Sequence, residues 1–388
     1  MKTLNISTFL CLSMILLLAG CSESSSSGGG GGTTPDATYV CNSTPMAKGS
    51  RKFGMDILAE PSVGGYSDNL SSLKAIGGEF QTLHMAWKDI EGAGSGATSG
   101  TFTDPYGALA ALDAIAASDG IKVTLRIHPV DIPGKLVPTD LMSTRFNSAN
   151  LKTRAQAMLN FVFTKIDPNH VSHLMMGNEV DDFDPESDTD FWLDYPDFLF
   201  DMNVWLATNY PGIDIGFVST LKGVTDQTKI LAHASNQKSV DVLTGWLGVV
   251  DILGVTYYPT EASFLMQSNS HVATDFQNLI GFTNKPIHLE EVGYASSKTV
   301  SGSEYLQAEF ICEVLKSWDT YAAEIPTLAV LRMVDLSSAS ASDVADTYNL
   351  SGNNYFIEFI RSLGVKTSTG TAKQSFTLLS SELDKRGF

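Results

Sequence analysis

One pattern constrains the fold of this chain more than any other. A short apolar strand, a loop and an amphipathic helix recur along most of its length. Candidate strands fall at 52–57, 81–87, 122–128, 171–179, 214–220, 251–258, 286–293 and 327–336. They are near-continuous apolar runs, as parallel strands covered on both faces should be. Between the last two, 303–323 places Leu306, Phe310, Val314, Trp318 and Tyr321 on one helical face. Segments 155–165 and 198–210 carry a similar pattern. Eight strands alternating with helices predict an α/β fold, a (β/α)8 TIM barrel occupying 41–388 as a single domain. The alternative is an open doubly wound sheet, which usually has a Gly-rich phosphate turn after its first strand. Leu58-Ala59-Glu60-Pro61 stands there instead.

Composition narrows the partners. Lys+Arg 25 against Asp+Glu 43 gives a net charge of -18. That argues against nucleic acid and against docking by a polybasic patch on an anionic membrane. A 43% hydrophobic fraction excludes disorder over most of the chain. Four cysteines in 388 residues exclude a disulfide-dense scaffold.

Residues 1–20 read as a signal peptide: Lys2 opens it and Phe9 to Leu18 is an apolar run too short to span a bilayer. Leu17-Leu18-Ala19-Gly20-Cys21 resembles a bacterial lipobox, which implies cleavage before Cys21 and acylation of its thiol. Segment 21–40 is a Ser/Gly-rich flexible linker, suited to lifting a folded domain off a membrane. Ser22, where retained lipoproteins carry Asp, resembles outer-membrane sorting. The expected location is the bacterial cell envelope, lipid-anchored at the outer membrane. Cys41 and Cys312 remain in an oxidising compartment, either bridged or as two buried thiols.

In a barrel, chemistry sits at the carboxyl ends of the strands. Those ends carry Asp56, Trp87, His128, Asn178, Glu179, Tyr257, Tyr258, Glu290, Glu291 and Asp335. Strands four and seven face each other across the mouth, so Glu179 and Glu291 can flank one bond. Glycoside hydrolysis needs two such carboxyl groups, one to protonate the leaving oxygen and one to attack the anomeric carbon. A neighbouring carboxylate raises the pKa of the acid.

Asn178-Glu179 after strand four and Glu291-x-Gly293 after strand seven resemble the clan of retaining (β/α)8 glycosidases. The resemblance implies Glu179 as acid/base, Glu291 as nucleophile and Asn178 as ligand of the sugar 2-hydroxyl. It also implies that a strand-six tyrosine donates to the nucleophile, Tyr258 being favoured over Tyr257. Asp251 to Pro259 resembles endo-β-1,4-galactanases, with looser matches at Gly54-Met55-Asp56 and Asp131-Ile132-Pro133-Gly134. The Gly177-Asn178-Glu179-Val180 string is also similar to plant-type β-1,3-glucanases. A polysaccharide or oligosaccharide substrate, no cofactor and a monomeric state are expected.

Two departures stand out. The galactanase pattern has arginine on strand two, where this chain has Thr82-Leu83-His84-Met85; its nearest strand arginine is Arg126 on strand three. The sugar-stacking Trp expected on strand eight is replaced by Leu331-Arg332-Met333. They motivate a rival reading, a catalytically lapsed carbohydrate-binding surface lipoprotein. A structural or adhesion lipoprotein is a third.

Other residues have alternative readings. His128 contacts substrate or is a satisfied rim histidine. Trp87, Trp192 and Tyr195 are sugar platforms or packing aromatics. Strand alternation turns Glu290 away from Glu291, toward a helix or a supporting partner. The acidic run 181–188 reads as a solvated loop rather than a Ca²⁺ site, lacking the EF-hand ligand order. No H-E-x-x-H or G-x-S-x-G string occurs, which argues against a catalytic zinc and against an esterase.

Overall fold

The computed structural model describes residues 37–57, 65–185 and 190–388. The signal segment, Cys21 and the linker as far as residue 36 lie outside those residues, as do 186–188 of the acidic run. Eight parallel strands close into one barrel. They are β1 (Lys52–Met55), β2 (Phe80–Ala86), β3 (Lys122–His128), β4 (Val171–Met176), β5 (Ile215–Thr220), β6 (Ile252–Tyr257), β7 (Ile287–Val292) and β8 (Thr327–Val330). Every strand lies beside its sequence neighbours, and β8 closes onto β1.

The helices around the barrel are α1 (Tyr66–Ala75), α2 (Ala108–Asp119), α3 (Ala149–Phe163), α4 (Phe191–Asn209), α5 (Ser239–Trp246), α6 (Val272–Ile280), α7 (Glu304–Thr320) and α8 (Gln374–Arg386). Ser303 starts α7 by accepting from the Leu306 amide at 3.1 Å, which satisfies one of the free donors at a helix start. Alternation sorts the strand residues. Leu83, Leu125, Leu174, Leu253, Leu289 and Leu328 join the large apolar core with helix residues such as Met158, Leu199 and Phe276. Met175, Val218 and Ile252 form a separate small cluster.

Alternation is interrupted at Ser172 of β4 and, beside the site, on β7. Val255 of β6 pairs with Leu289, but the next residue, Thr256, pairs with Glu291. Glu290 is therefore the extra residue of a β-bulge. It does not turn toward a helix: its Oε1 is 2.6 Å from His173 Nε2 on β4, while Glu291 reaches Arg126 on β3. Its Cγ would also crowd a side chain at Gly254 of β6, at 3.1 Å from the Cβ position. The bulge places both glutamates on the inner side of the barrel, which the sequence period does not allow for.

Cys41 and Cys312 are bridged, with Cα atoms 5.6 Å apart. The bridge ties the segment before β1 to α7 across a sequence separation of 271 residues. A loop that long restricts the unfolded chain strongly. Replacing both cysteines by serine should therefore lower stability by about 2–4 kcal/mol, read as an earlier midpoint in urea unfolding.

Two short helices, Ser338–Thr347 and Asn354–Arg361, fill the connection from β8 to α8. Their Val344, Phe356 and Phe359 side chains line one side of the barrel mouth. No helix among the described residues is long and apolar enough to cross a membrane.

Candidate active site

The turn after β4 sets the first carboxyl group. β4 ends at Met176, and Gly177 follows at φ 88°. A side chain there would meet the Tyr195 hydroxyl at 2.6 Å, so the position needs glycine. Glu179 also takes a left-handed conformation, φ 41°. Such a backbone costs of order 1–3 kcal/mol for a non-glycine residue, and in folded proteins it clusters at functional sites. The turn is pinned to β3 and to the short strand Val130–Asp131 just after it: the Gly177 amide donates to Ile127 O and the Asn178 amide to Val130 O.

The Glu179 carboxyl accepts from Thr256 Oγ1 at 2.6 Å. Thr256 pairs in register with Glu291 on the neighbouring strand. The two glutamates thus meet across the same mouth. Burial drives the Glu179 pKa well above the usual carboxylate range, and the Glu291 charge pushes it further. The Thr256 hydroxyl works the other way without reversing the shift. Glu179 is set up to hold a proton.

Glu291 is held on both oxygens. Arg126 Nη1 donates to Oε1 at 2.5 Å and the Tyr258 hydroxyl to Oε2 at 2.5 Å. Arg126 also donates to Asn178 Oδ1, whose amide nitrogen donates to Asp131 at 3.0 Å. One guanidinium therefore positions the β7 carboxylate and the β4 asparagine together. Burial opposes the Arg126 charge, but Glu291 and Glu290 outweigh it and push the pKa up. His84 lies 3.6 Å from Glu291 Oε1. Burial and the Arg126 charge hold His84 well below its ordinary pKa, so it is a neutral imidazole. Burial and Glu291 raise the Tyr258 pKa, which keeps it a phenol donor.

A cavity of about 800 Å³ opens over these groups. Glu179, Glu291, Asn178, Tyr258, Tyr257, His128 and Asp56 all line it. His128 is buried, with Nδ1 3.4 Å from Asp131. Tyr257 gives its hydroxyl to Asp275 of α6 at 2.6 Å, so among the two tyrosines it is Tyr258 that reaches Glu291.

Three aromatic candidates are corrected. Trp87 is fully buried, donates to Glu91 at 2.7 Å and does not line the cavity. Trp192 and Tyr195 are buried on α4 and hydrogen-bonded to the Ala232 and Met176 carbonyls. None is a sugar platform, because each packs its ring in the core. The first two residues of the acidic run are not simply solvated. Asp181 is buried and accepts from Ser219, Thr220 and Lys229, while Asp182 pairs with Lys229.

Of the two donors to Glu291, the sequence anticipates Tyr258 but gives Arg126 no role at the site. It was visible as an arginine inside an apolar strand, but strand two was the expected source. His84 of β2 pairs in register with Arg126 of β3, so the guanidinium arrives from the adjacent strand. Replacing Arg126 by Met should cut kcat/KM by about 10²–10³-fold, since it removes a preorganised donor at the reacting carboxylate. Tyr258→Phe should cost less, and steady-state kinetics on one substrate ranks the two.

Among the described residues, one group has the composition of a metal site: His173, His288 and Glu290, whose ligand atoms lie within 4.8 Å of one another. His173 and Glu290 already share a 2.6 Å hydrogen bond there.

No family model and no curated protein matches the sequence. Solved structures do match. The fold is that of known glycoside hydrolases. An exo-β-1,4-mannosidase from Opitutaceae bacterium strain TAV5 superposes with TM-score 0.60 at 14% identity, over 86% of this chain. This chain spans only 59% of that protein. A GH5_18 protein from Streptomyces cattleya, solved with Manβ1-4GlcNAc, gives TM-score 0.62 at 16% identity, covering 86% of this chain and 80% of that one. The GH53 catalytic domain of Ignisphaera aggregans gives 0.56 at 14% identity, covering 85% and 91%.

Proposed function

We propose that this protein is a retaining glycoside hydrolase acting on a plant or algal polysaccharide. One observation carries the reading. A carboxyl group whose pKa is driven up by burial and by a second carboxylate faces that carboxylate across the barrel mouth, and the second one is fixed by Arg126 and Tyr258. Glu291 attacks the anomeric carbon while Glu179 gives its proton to the leaving oxygen, and the glycosidic bond breaks. Glu179, now a carboxylate, takes a proton from water. The water oxygen attacks the anomeric carbon and Glu291 leaves, so configuration is retained. The groups facing the sugar are Asn178, at its 2-hydroxyl, together with His128 and Asp56.

An endo-β-1,4-galactanase-like specificity follows from the strand-six resemblance, and the likeness to a GH53 domain is compatible with it. The likeness to an exo-β-1,4-mannosidase makes β-mannans the substrate to set beside it. The purified protein is to be incubated with galactan, β-1,3-glucan, xylan and mannan, and the first-formed anomer read by NMR. Hydrolysis with a retained anomer supports the proposal. Glycan binding without hydrolysis, equal in wild type and Glu291→Ala, would leave the carbohydrate-binding reading in its place.

The protein is further proposed to be tethered to the bacterial outer membrane through Cys21. Labelled palmitate should enter the wild type and not Cys21→Ala.

A further inference from the structure

Lys222 and Lys229, which line the cavity, and Arg126, which bonds the lining residues Glu291 and Asn178, have protein acceptors. Arg126 is bonded to Glu291 and Asn178, Lys229 to Asp181 and Asp182, and Lys222 to the Thr260 carbonyl at 2.7 Å. Arg332 differs. It lines the same cavity and is partly exposed. Its Nε and Nη1 are sheltered from solvent and have no hydrogen-bond partner among the described residues.

The backbone holds Arg332 at the reacting end of the barrel. Leu331 N donates to Val292 O at 3.0 Å, beside Glu291, and Met333 N donates to Asp56 O at 2.8 Å. The Arg332 carbonyl accepts from Val365 N at 3.1 Å. The guanidinium is thus rooted between the ends of β7 and β1. Its charge is felt at His84, which lies 3.6 Å from Glu291.

A half-sheltered guanidinium without an acceptor loses hydration and gains nothing for it. Its planar fork matches a carboxylate or a sulfate, each offering paired acceptor oxygens. An aromatic platform would suit the apolar face of a neutral sugar; an arginine at that strand end suits an anion. The rest of the lining is rich in carboxylates, Asp56, Asp131, Asp182 and Glu261 among them. A negatively charged ligand would be repelled there unless one cation were reserved for it.

We propose that Arg332 receives an anionic substituent, a carboxylate or a sulfate ester, on the sugar seated over Glu291. This names the substrate class, acidic or sulfated glycans, and it rests on the glycosidase reading for where the ring sits.

The test separates the two ideas by measuring binding without turnover. Calorimetry on full-length Glu291→Gln protein uses oligogalacturonate, oligoglucuronate and sulfated galacto-oligosaccharides. Neutral galacto-, gluco- and manno-oligosaccharides of equal length serve as references. At least one acidic ligand should bind about ten- to hundredfold more tightly than its neutral counterpart. Adding Arg332→Gln should abolish that preference, and Arg332→Lys should restore part of it. The uronate and sulfate arms tell the two anions apart. Equal or tighter binding of every neutral ligand, or a preference untouched by Arg332→Gln, would overturn the proposal. Hydrolysis by the wild type is scored separately. Its absence sinks the glycosidase reading, and the binding arm still decides the role of Arg332.

Discussion

Glu291→Ala should lower kcat by about six orders of magnitude, the scale seen when a covalent nucleophile is removed. Loss of rate alone would not assign the role, because any disruption at the mouth does the same. The assignment comes from rescue. With Glu291 reduced to alanine, a small anion such as azide can occupy the vacated space and attack the anomeric carbon directly. Arg126 and Tyr258 remain to orient it, since both point at the position of the lost carboxylate. A β-glycoside would then give the glycosyl azide of inverted configuration, the product of one displacement rather than two. NMR of the azide adduct reads this. No adduct, or one of retained configuration, would remove Glu291 from the nucleophile's place. Rescue also requires that Glu179 still protonate the leaving group, so the two glutamates are tested together.

Much of this site was legible in the sequence because its main determinants are local. Strand ends can be read from apolar runs, and Gly177-Asn178-Glu179 announces a turn that raises a carboxyl group above a strand. The barrel follows from eight repeats of one unit. What escaped is what depends on register. The Glu290 bulge exists only relative to the neighbouring strands β6 and β8, so a period-2 reading assigns it the wrong face. Arg126 acts at Glu291 from 165 residues away. No spacing rule reaches that far. The three aromatics failed for a different reason. Trp87, Trp192 and Tyr195 have the chemistry of a sugar platform, and only the packing around them shows that their rings are spent in the core. The apolar pattern places this helix at 198–210, whereas α4 runs Phe191–Asn209.

Glu179 carries the second large effect, and its signature is in pH. Its pKa is raised, first by burial and then by Glu291, so the protonated acid persists well above the ordinary carboxylate range. Wild-type kcat/KM should fall as pH rises through that shifted value, because the ionised form cannot protonate the leaving oxygen. Glu179→Gln should lower the rate on natural glycosides by about 10²–10⁴-fold. Aryl glycosides with good leaving groups need little protonation in the first step, and on them the variant should lose the alkaline limb of the profile. If the limb survives in Glu179→Gln, another group is the acid. The same shift governs stability, with a definite sign. A carboxyl group whose folded pKa lies above its unfolded value binds protons more tightly when folded. It therefore stabilises the fold below the unfolded pKa of about 4.3, and that contribution is lost as pH rises through the folded value. At pH above that window the native state must hold a buried charge beside Glu291. Glu179→Gln removes the charge and keeps the shape, so its melting temperature should exceed that of the wild type at alkaline pH, and the gap should close in acid. A site built to keep a proton where water would release it gives up stability in the pH range where the unprotonated form dominates. A melt series across pH on the two proteins measures that trade directly.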